Sequence, residues 1–108
     1  MADTHKQIYN AQPATTDTLL YTVPASTTTV VRGIDITNTT GTAATITLGL
    51  NSGAALAAAN HFLSAFSVPA AGKYSWSGFQ VLDAAETIRA LQGTSAALTV
   101  HISGIEVA

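Results

Sequence analysis

Hydrophobic and polar positions alternate with a period of two along most of this chain. In "TAATITLGLN", Ala44, Ile46, Leu48 and Leu50 alternate with Thr45, Thr47, Gly49 and Asn51, the pattern of a half-buried strand with one polar face. In "TTTVVRGIDITNT", strict alternation puts Val30, Ile34 and Ile36 on one face with Arg32, and Val31, Asp35 and Thr37 on the other. "AALTVHI" turns Leu98, Val100 and Ile102 inward and Thr99 and His101 outward. Thr, Val and Ile favour such segments because a branched β-carbon packs on a pleated surface and is hindered in a helix.

Turn signals punctuate the runs. Pro24-Ala25-Ser26 follows "LLYTV", Asn38-Thr39-Thr40-Gly41 separates two strong strands, and Asn51-Ser52-Gly53 ends the next. Pro69-Ala70-Ala71-Gly72, Asp83-Ala84-Ala85-Glu86 and Gly93-Thr94-Ser95 follow. Glycine and asparagine tolerate positive φ and proline cannot donate to a ladder, so each cluster interrupts pairing. "YTVPAS" and "FSVPAAG" both end an apolar run in Val-Pro-Ala and read as equivalent corners. About eight strands are predicted, near 7–10, 18–23, 28–38, 43–51, 61–68, 73–77, 86–92 and 97–107. "GAALAAANHF", residues 53 to 62, is alanine-rich without a broad apolar stripe and reads as a loop or single helical turn crossing between sheets. Short strands at this spacing predict an all-β fold, a single antiparallel β-sandwich of jelly-roll type. Its core is expected from Leu20, Ile34, Ile36, Ile46, Leu48, Leu50, Ile88, Leu98, Val100 and Ile102. The sandwich is placed at 17–108, with 1–16 as an N-terminal arm long enough to lie across a neighbouring subunit.

Charge changes the picture. Asp, Glu, Lys and Arg make up 9% of the 108 residues, against about 25% in ordinary soluble domains. Between Asp35 and Lys73 there is no charged residue, and the net charge is −2. Four basic residues, Lys6, Arg32, Lys73 and Arg89, are too scattered to track a phosphate backbone, so no nucleic-acid partner is expected. Apolar residues reach 47%, yet no run approaches the roughly 20 needed to span a membrane as a helix. "MADTHKQIYNAQ" lacks the basic and apolar regions of a secretory signal, so synthesis in a cytoplasm is expected. There is no cysteine, which rules out disulfides and thiolate chemistry. A chain this poor in charge relies on Thr, Ser, Asn and Ala for its surface, or has its faces covered by other subunits. Near-zero charge favours association, so the second reading is preferred.

The residues offer little chemistry. His5, His61 and His101 fall in no metal-binding spacing, and no metal or cofactor is expected. No nucleophile elbow or glycine-rich phosphate loop is present; Gly49 and Gly104, inside strand patterns, mark bulges or close backbone approaches. Six widely spaced acids make no catalytic pair, and no enzyme is predicted. In "KYSWSGFQV", Tyr74 and Trp76 lie two apart and share a strand face. Exposed, they would form a sugar-stacking platform; buried, they fill a core or an intersubunit contact. The single Trp, the low aromatic content and the absence of accompanying amide or acid clusters favour burial.

The order "LLYTVPASTTTVVRGIDITNTTGTAATITLGL" followed by "NHFLSAFSVPAAGKYSWSGFQVLDAAETIRALQGTSAALTVHISGIEV" resembles small β-sandwich structural proteins of tailed bacteriophages. The shared frame is a Tyr-Thr-Val-Pro-Ala corner, a Val-Val-Arg strand, an Asn-Thr-Thr-Gly hairpin, a Leu-x-x-Ala-Glu-Thr-Ile-Arg-Ala corner and a closing Val-x-Ile-Ser-Gly-Ile-Glu, over roughly residues 18 to 108. Where such proteins often have Pro-Ala-Gly at the first corner, this chain has Ser26. The resemblance implies a non-enzymatic virion subunit, made in the host cytoplasm. With the composition, it leads to an expected homo-oligomer, a trimer or hexamer, that contacts other virion proteins such as the major capsid or tail proteins. A capsid decoration or cement subunit is preferred over a neck, tail or fibre component. The other alternative is a carbohydrate-binding or adhesin module using Tyr74 and Trp76. Ile8 and Tyr9 in the arm, with Tyr74 and Trp76, are the candidate interface residues.

Overall fold

In a computed structural model, which describes residues 3–52, 56 and 61–108, the alternating runs become eight strands. They are β1 (Asp3–Ala11), β2 (Thr18–Thr22), β3 (Thr28–Asn38), β4 (Ala44–Ser52), β5 (His61–Val68), β6 (Lys73–Leu82), β7 (Thr87–Gln92) and β8 (Leu98–Val107). Sheet A has the order β1-β8-β3-β6 and sheet B the order β2-β7-β4-β5, with all pairs antiparallel. Successive strands change sheet except β4 and β5, which pair. This is the jelly-roll sandwich of two interlocked Greek keys.

The core lies between the sheets. Ile34, Ile36, Ile46, Leu48, Ile88, Leu98 and Val100 are fully buried, with Ile102 and Leu50 nearly so, while Leu20 packs half-buried at its margin. Fully burying one such side chain contributes roughly 1.5–3 kcal/mol. His101 is exposed, as the alternation of its strand requires.

Alternation alone misplaces part of β3. Thr29 and Val31 point inward, and so do Ile34 and Ile36, so Val30 and Arg32 face outward. The phase slips at Arg32, an extra residue: Val31 opposes Gly104 while Gly33 opposes Ser103. Matching slips occur at Ile8 in β1, between the pairs Gln7–Ser103 and Tyr9–Ile102, and in β6, where Gly78 and Phe79 lie between Ser77 and Gln80. A line of β-bulges therefore crosses sheet A; in β1 and β3 the extra residue reverses which side chains face the core, while β6 keeps its alternation through the slip. Gly104 sits on that line; a Cβ there would run into the Val30 carbonyl oxygen and come within 2.9 Å of Ile8 Cδ1. It is the close backbone approach expected of a glycine inside a strand.

Three connections differ from their sequence reading. Residues 3–11, placed in an arm, form β1, paired along β8 within the same chain. The Asn-Thr-Thr-Gly stretch is not a hairpin, because β3 and β4 lie in different sheets. Buried Asn38 holds this corner: its Nδ2 donates to the Thr42 and Val68 carbonyls at 2.8 and 3.1 Å, and its Oδ1 accepts the Thr40 N–H at 2.9 Å. The "GAALAAANHF" segment joins two paired strands of one sheet rather than crossing between sheets. Apart from Leu56, His61 and Phe62, its own form lies outside the described residues.

The remaining corners share one device. In Pro24–Thr27, Pro69–Gly72, Asp83–Glu86 and Thr94–Ala97 the third residue is left-handed: Ser26 at φ 56°, Ala71 at 52°, Ala85 at 69° and Ala96 at 57°. Gly72 N–H reaches the Pro69 carbonyl at 2.9 Å and Glu86 N–H the Asp83 carbonyl at 3.0 Å. Positive φ at the third position is the type II pattern, where glycine is the usual occupant. In each, a strand begins two residues after the left-handed one, so "YTVPAS" and "FSVPAAG" are equivalent corners, joined by two more.

Candidate functional site

The four candidate interface residues do not form one surface. Ile8 is buried in the chain's own core at 7% exposure, and Tyr9 packs half-buried beside it. The bulge explains this, since it turns both side chains inward. Tyr74 and Trp76 also face inward from β6, the edge of sheet A. Trp76 meets Phe62 edge-on at 5.1 Å and Tyr74 meets Phe66 at 4.9 Å. Because Phe62 and Phe66 belong to β5, the edge of sheet B, these pairs close one open flank of the sandwich. Such contacts add roughly 0.5–1.5 kcal/mol each beyond the area they bury. Both rings are half-buried, with their bodies against the core.

Polar groups between the sheets tie the layers together. From β2, the Tyr21 hydroxyl donates to Glu106 of β8 and lies 2.8 Å from the Thr29 hydroxyl of β3, which is fully buried. Lys6 of β1 approaches the same Glu106 carboxylate at 3.7 Å. Burial, then the Glu106 contact, pushes the Tyr21 phenol up to about 12. Buried Gln92 uses its amide in the same way, donating to the Pro13 carbonyl and accepting the Ala97 and Leu98 N–H groups at 3.2 and 2.8 Å. These residues connect strands through satisfied hydrogen bonds, which is what a buried polar group requires. Nothing in sequence spacing marks them, because their partners lie up to 85 positions away.

The outer face of sheet A has a different character. His5, Ile105, Val30 and Val81 form one cross-strand row, each opposite the next. Phe79 and Val81 are 68% and 53% exposed, and Ile105 and Val30 are half-buried. The Arg32 guanidinium lies 4.4 Å from the centre of the Phe79 ring, and its Nε–H donates to the Gly78 carbonyl at 3.1 Å. Beside it, an open depression of about 490 Å³ is bounded by His5, Gln7, Arg32, Ser103 and Ile105. Toward the other end, the face carries the small polar side chains Ser75, Ser77, Ser103 and Thr37, the last opposite Lys73. The sequence reading missed Phe79 and Val81 because it ended β6 at residue 77. The signal was present in "FQVL", where Phe79 and Val81 continue the outward positions of Ser75 and Ser77 past Gly78.

Charged groups pair sparingly. Besides Lys6 and Glu106, Lys73 lies 3.8 Å from Asp35 and Arg89 lies 3.2 Å from Asp17, whose second oxygen accepts the Leu56 N–H at 3.0 Å. Among the described residues, Arg32 has no carboxylate within ion-pair distance, and Asp3 and Asp83 have no cation. Among the described residues there is also no group of three or more His, Asp or Glu placed to hold a metal ion. No described helix is long and apolar enough to cross a membrane. No model of a known protein family matches the chain, and no curated protein matches its sequence.

Proposed function

We propose that this chain is a non-enzymatic structural subunit of a tailed-phage particle that works as a homo-oligomer, with capsid decoration or cement preferred over the neck or tail. The observation that carries the reading is the outer face of sheet A. On a chain with 9% charged residues, that face presents Phe79, Val81, Val30 and Ile105 together, where a lone soluble domain would place charge. The jelly roll itself is an architecture used repeatedly in viral shells, and the sequence resemblance described above points the same way. The segment first read as an arm is held as a strand, so the contact falls to sheet faces rather than to a free N-terminal extension. Light scattering on the purified chain tests assembly, and locating the chain in a map of an intact particle tests its place. A defined oligomer and density on the particle are expected. A monomer at all concentrations that instead binds glycans overturns the reading.

A further inference from the structure

We propose that two copies of this chain associate face to face through the outer surface of sheet A, about a two-fold axis lying along the row His5–Ile105–Val30–Val81, with Arg32 of each copy paired to Asp83 of the other. This inference rests on the assembly reading above and specifies its contact.

The apolar part of the argument is the row itself. A cross-strand row running through all four strands gives a continuous ridge. At its β6 end it rises into Val81 and Phe79, two of the four large hydrophobic side chains that stand exposed on the described surface. Water is excluded from such a ridge only if something flat and apolar covers it. Another copy of the same ridge fits, since sheets stack in aligned fashion through their faces.

The charges choose the occupant and the symmetry. Arg32 lies two positions from Val30 on one side of the row. Asp83 lies two positions from Val81 on the other side, because β3 and β6 run antiparallel in the register Val30 to Val81. Rotation by a half turn about the row exchanges those two sides. It therefore carries Arg32 of one copy over Asp83 of the next, and the reverse, giving two equivalent pairs from one operation. The two residues are one strand apart laterally, about 4.8 Å, which an arginine side chain spans. Both groups are left over by the subunit's own pairing: the other three cations meet acids within their chain. Arg32 is also held in place by its bond to the Gly78 carbonyl and its stack on Phe79, so less side-chain freedom is lost when it meets a partner. Asp83 is exposed in a tight turn, its N–H engaged by Glu86 at 2.6 Å, and among the described residues its carboxylate meets no cation.

The test is a charge swap read by sedimentation velocity at matched concentrations. Arg32→Glu alone and Asp83→Arg alone each replace two attractive contacts by two repulsive ones, and each should weaken self-association at least about tenfold. Mixed in equal amounts, the two variants form a heterodimer in which both pairs are attractive again, and association should return to near the wild-type level. Both sites are exposed, and circular dichroism and thermal melting check that each variant is folded. Because the chain has no cysteine, a second measurement is clean. Val81→Cys, on the axis, should cross-link to its own copy through a short bis-maleimide, since stacked sheets lie about 10 Å apart, too far for a direct disulfide. Thr45→Cys, on the outer face of sheet B, should not. An oligomeric wild type whose association is indifferent to the reversals, or is not restored by mixing, overturns this contact while leaving assembly standing. So does equal cross-linking at positions 81 and 45, or cross-linking at neither. A wild-type chain that stays monomeric overturns the assembly reading itself.

Discussion

Replacing Ser26, Ala71, Ala85 and Ala96 by glycine, all four together, should stabilise this protein. Each residue occupies the left-handed region, at φ 56°, 52°, 69° and 57° respectively. There the β-carbon crowds the backbone at a cost of about 1–2 kcal/mol. Each side chain is exposed, so removing it gives up no buried surface. Glycine returns part of the gain, since its unfolded chain has more freedom to lose, at about 0.4–1 kcal/mol per site. The net is about 0.5–1 kcal/mol per corner. The corners sit at separate connections, and the bonds that link them, such as Ala85 N–H to the Val23 carbonyl, are backbone bonds that glycine keeps, so the effects should add to about 2–4 kcal/mol. Urea unfolding followed by the fluorescence of Trp76, the only tryptophan, reads this as a higher midpoint at an unchanged slope. Protein concentration is held constant, so that association does not enter the comparison. Ala25, Ala70 and Ala84 are the controls: they are adjacent turn residues with ordinary negative φ, and glycine there should destabilise by a few tenths to about 1 kcal/mol. A quadruple variant no more stable than wild type, or controls that behave like the four sites, would refute the assignment of left-handed backbone to these corners.

Gly104→Ala should destabilise by about 3 kcal/mol or more and lower the urea midpoint accordingly, because its Cβ would meet the Val30 carbonyl, which belongs to the β3–β8 ladder and cannot step aside. Tyr21→Phe should cost about 1–3 kcal/mol, since buried Thr29 and the Glu106 carboxylate both lose their phenol partner. The folded-state value of that phenol, about 12, lies above its ordinary 10.0, so its contribution is complete below pH 10 and is lost as pH rises through 12. Urea midpoints of wild type and Tyr21→Phe measured from pH 8 to 12 should converge across that window; a constant difference would show that the phenol is not held protonated by the fold.

Much of the fold was legible because alternation and turn chemistry are local. The runs ending at Asn38, beginning at Ala44 and closing on Ile102 have one buried face each, and their boundaries shift by a residue or so between pattern and structure. The arm reading of β1 failed for a physical reason. An edge strand can expose both faces, and Asp3 through Gln7 are all exposed, so no period of two appears there. The bulge at Arg32 was invisible because a single extra residue leaves composition unchanged while reversing every side chain before it. Pairing partners were harder still. Asn38 looked like a hairpin residue because its local chemistry is that of a turn, and only the sheet order reveals that the chain changes layer there. Val81 follows from Tyr74 and Trp76 by unbroken alternation, whereas the outward face of Val30 could have been found only by carrying the alternation across the bulge at Arg32.

The sheet order has a consequence for timing. In sheet A, β1 has β8 as its sole partner, and β3 lies between β8 and β6. While the chain is being made, β1 and β3 must wait, unpaired, for strands synthesised much later; β1 and β8 join positions about a hundred residues apart. Closing such long loops before any contact is rewarded makes folding slow, on the scale of milliseconds to seconds. It also means that the ridge on the outside of sheet A does not exist on a nascent chain, because one of its four side chains, Ile105, arrives with β8. If the chain associates through that ridge as proposed, a partly made copy has no surface by which to join another. On that proposal, assembly would be gated by completion of the sheet, and a shortened product would be left out of any structure built from whole ones.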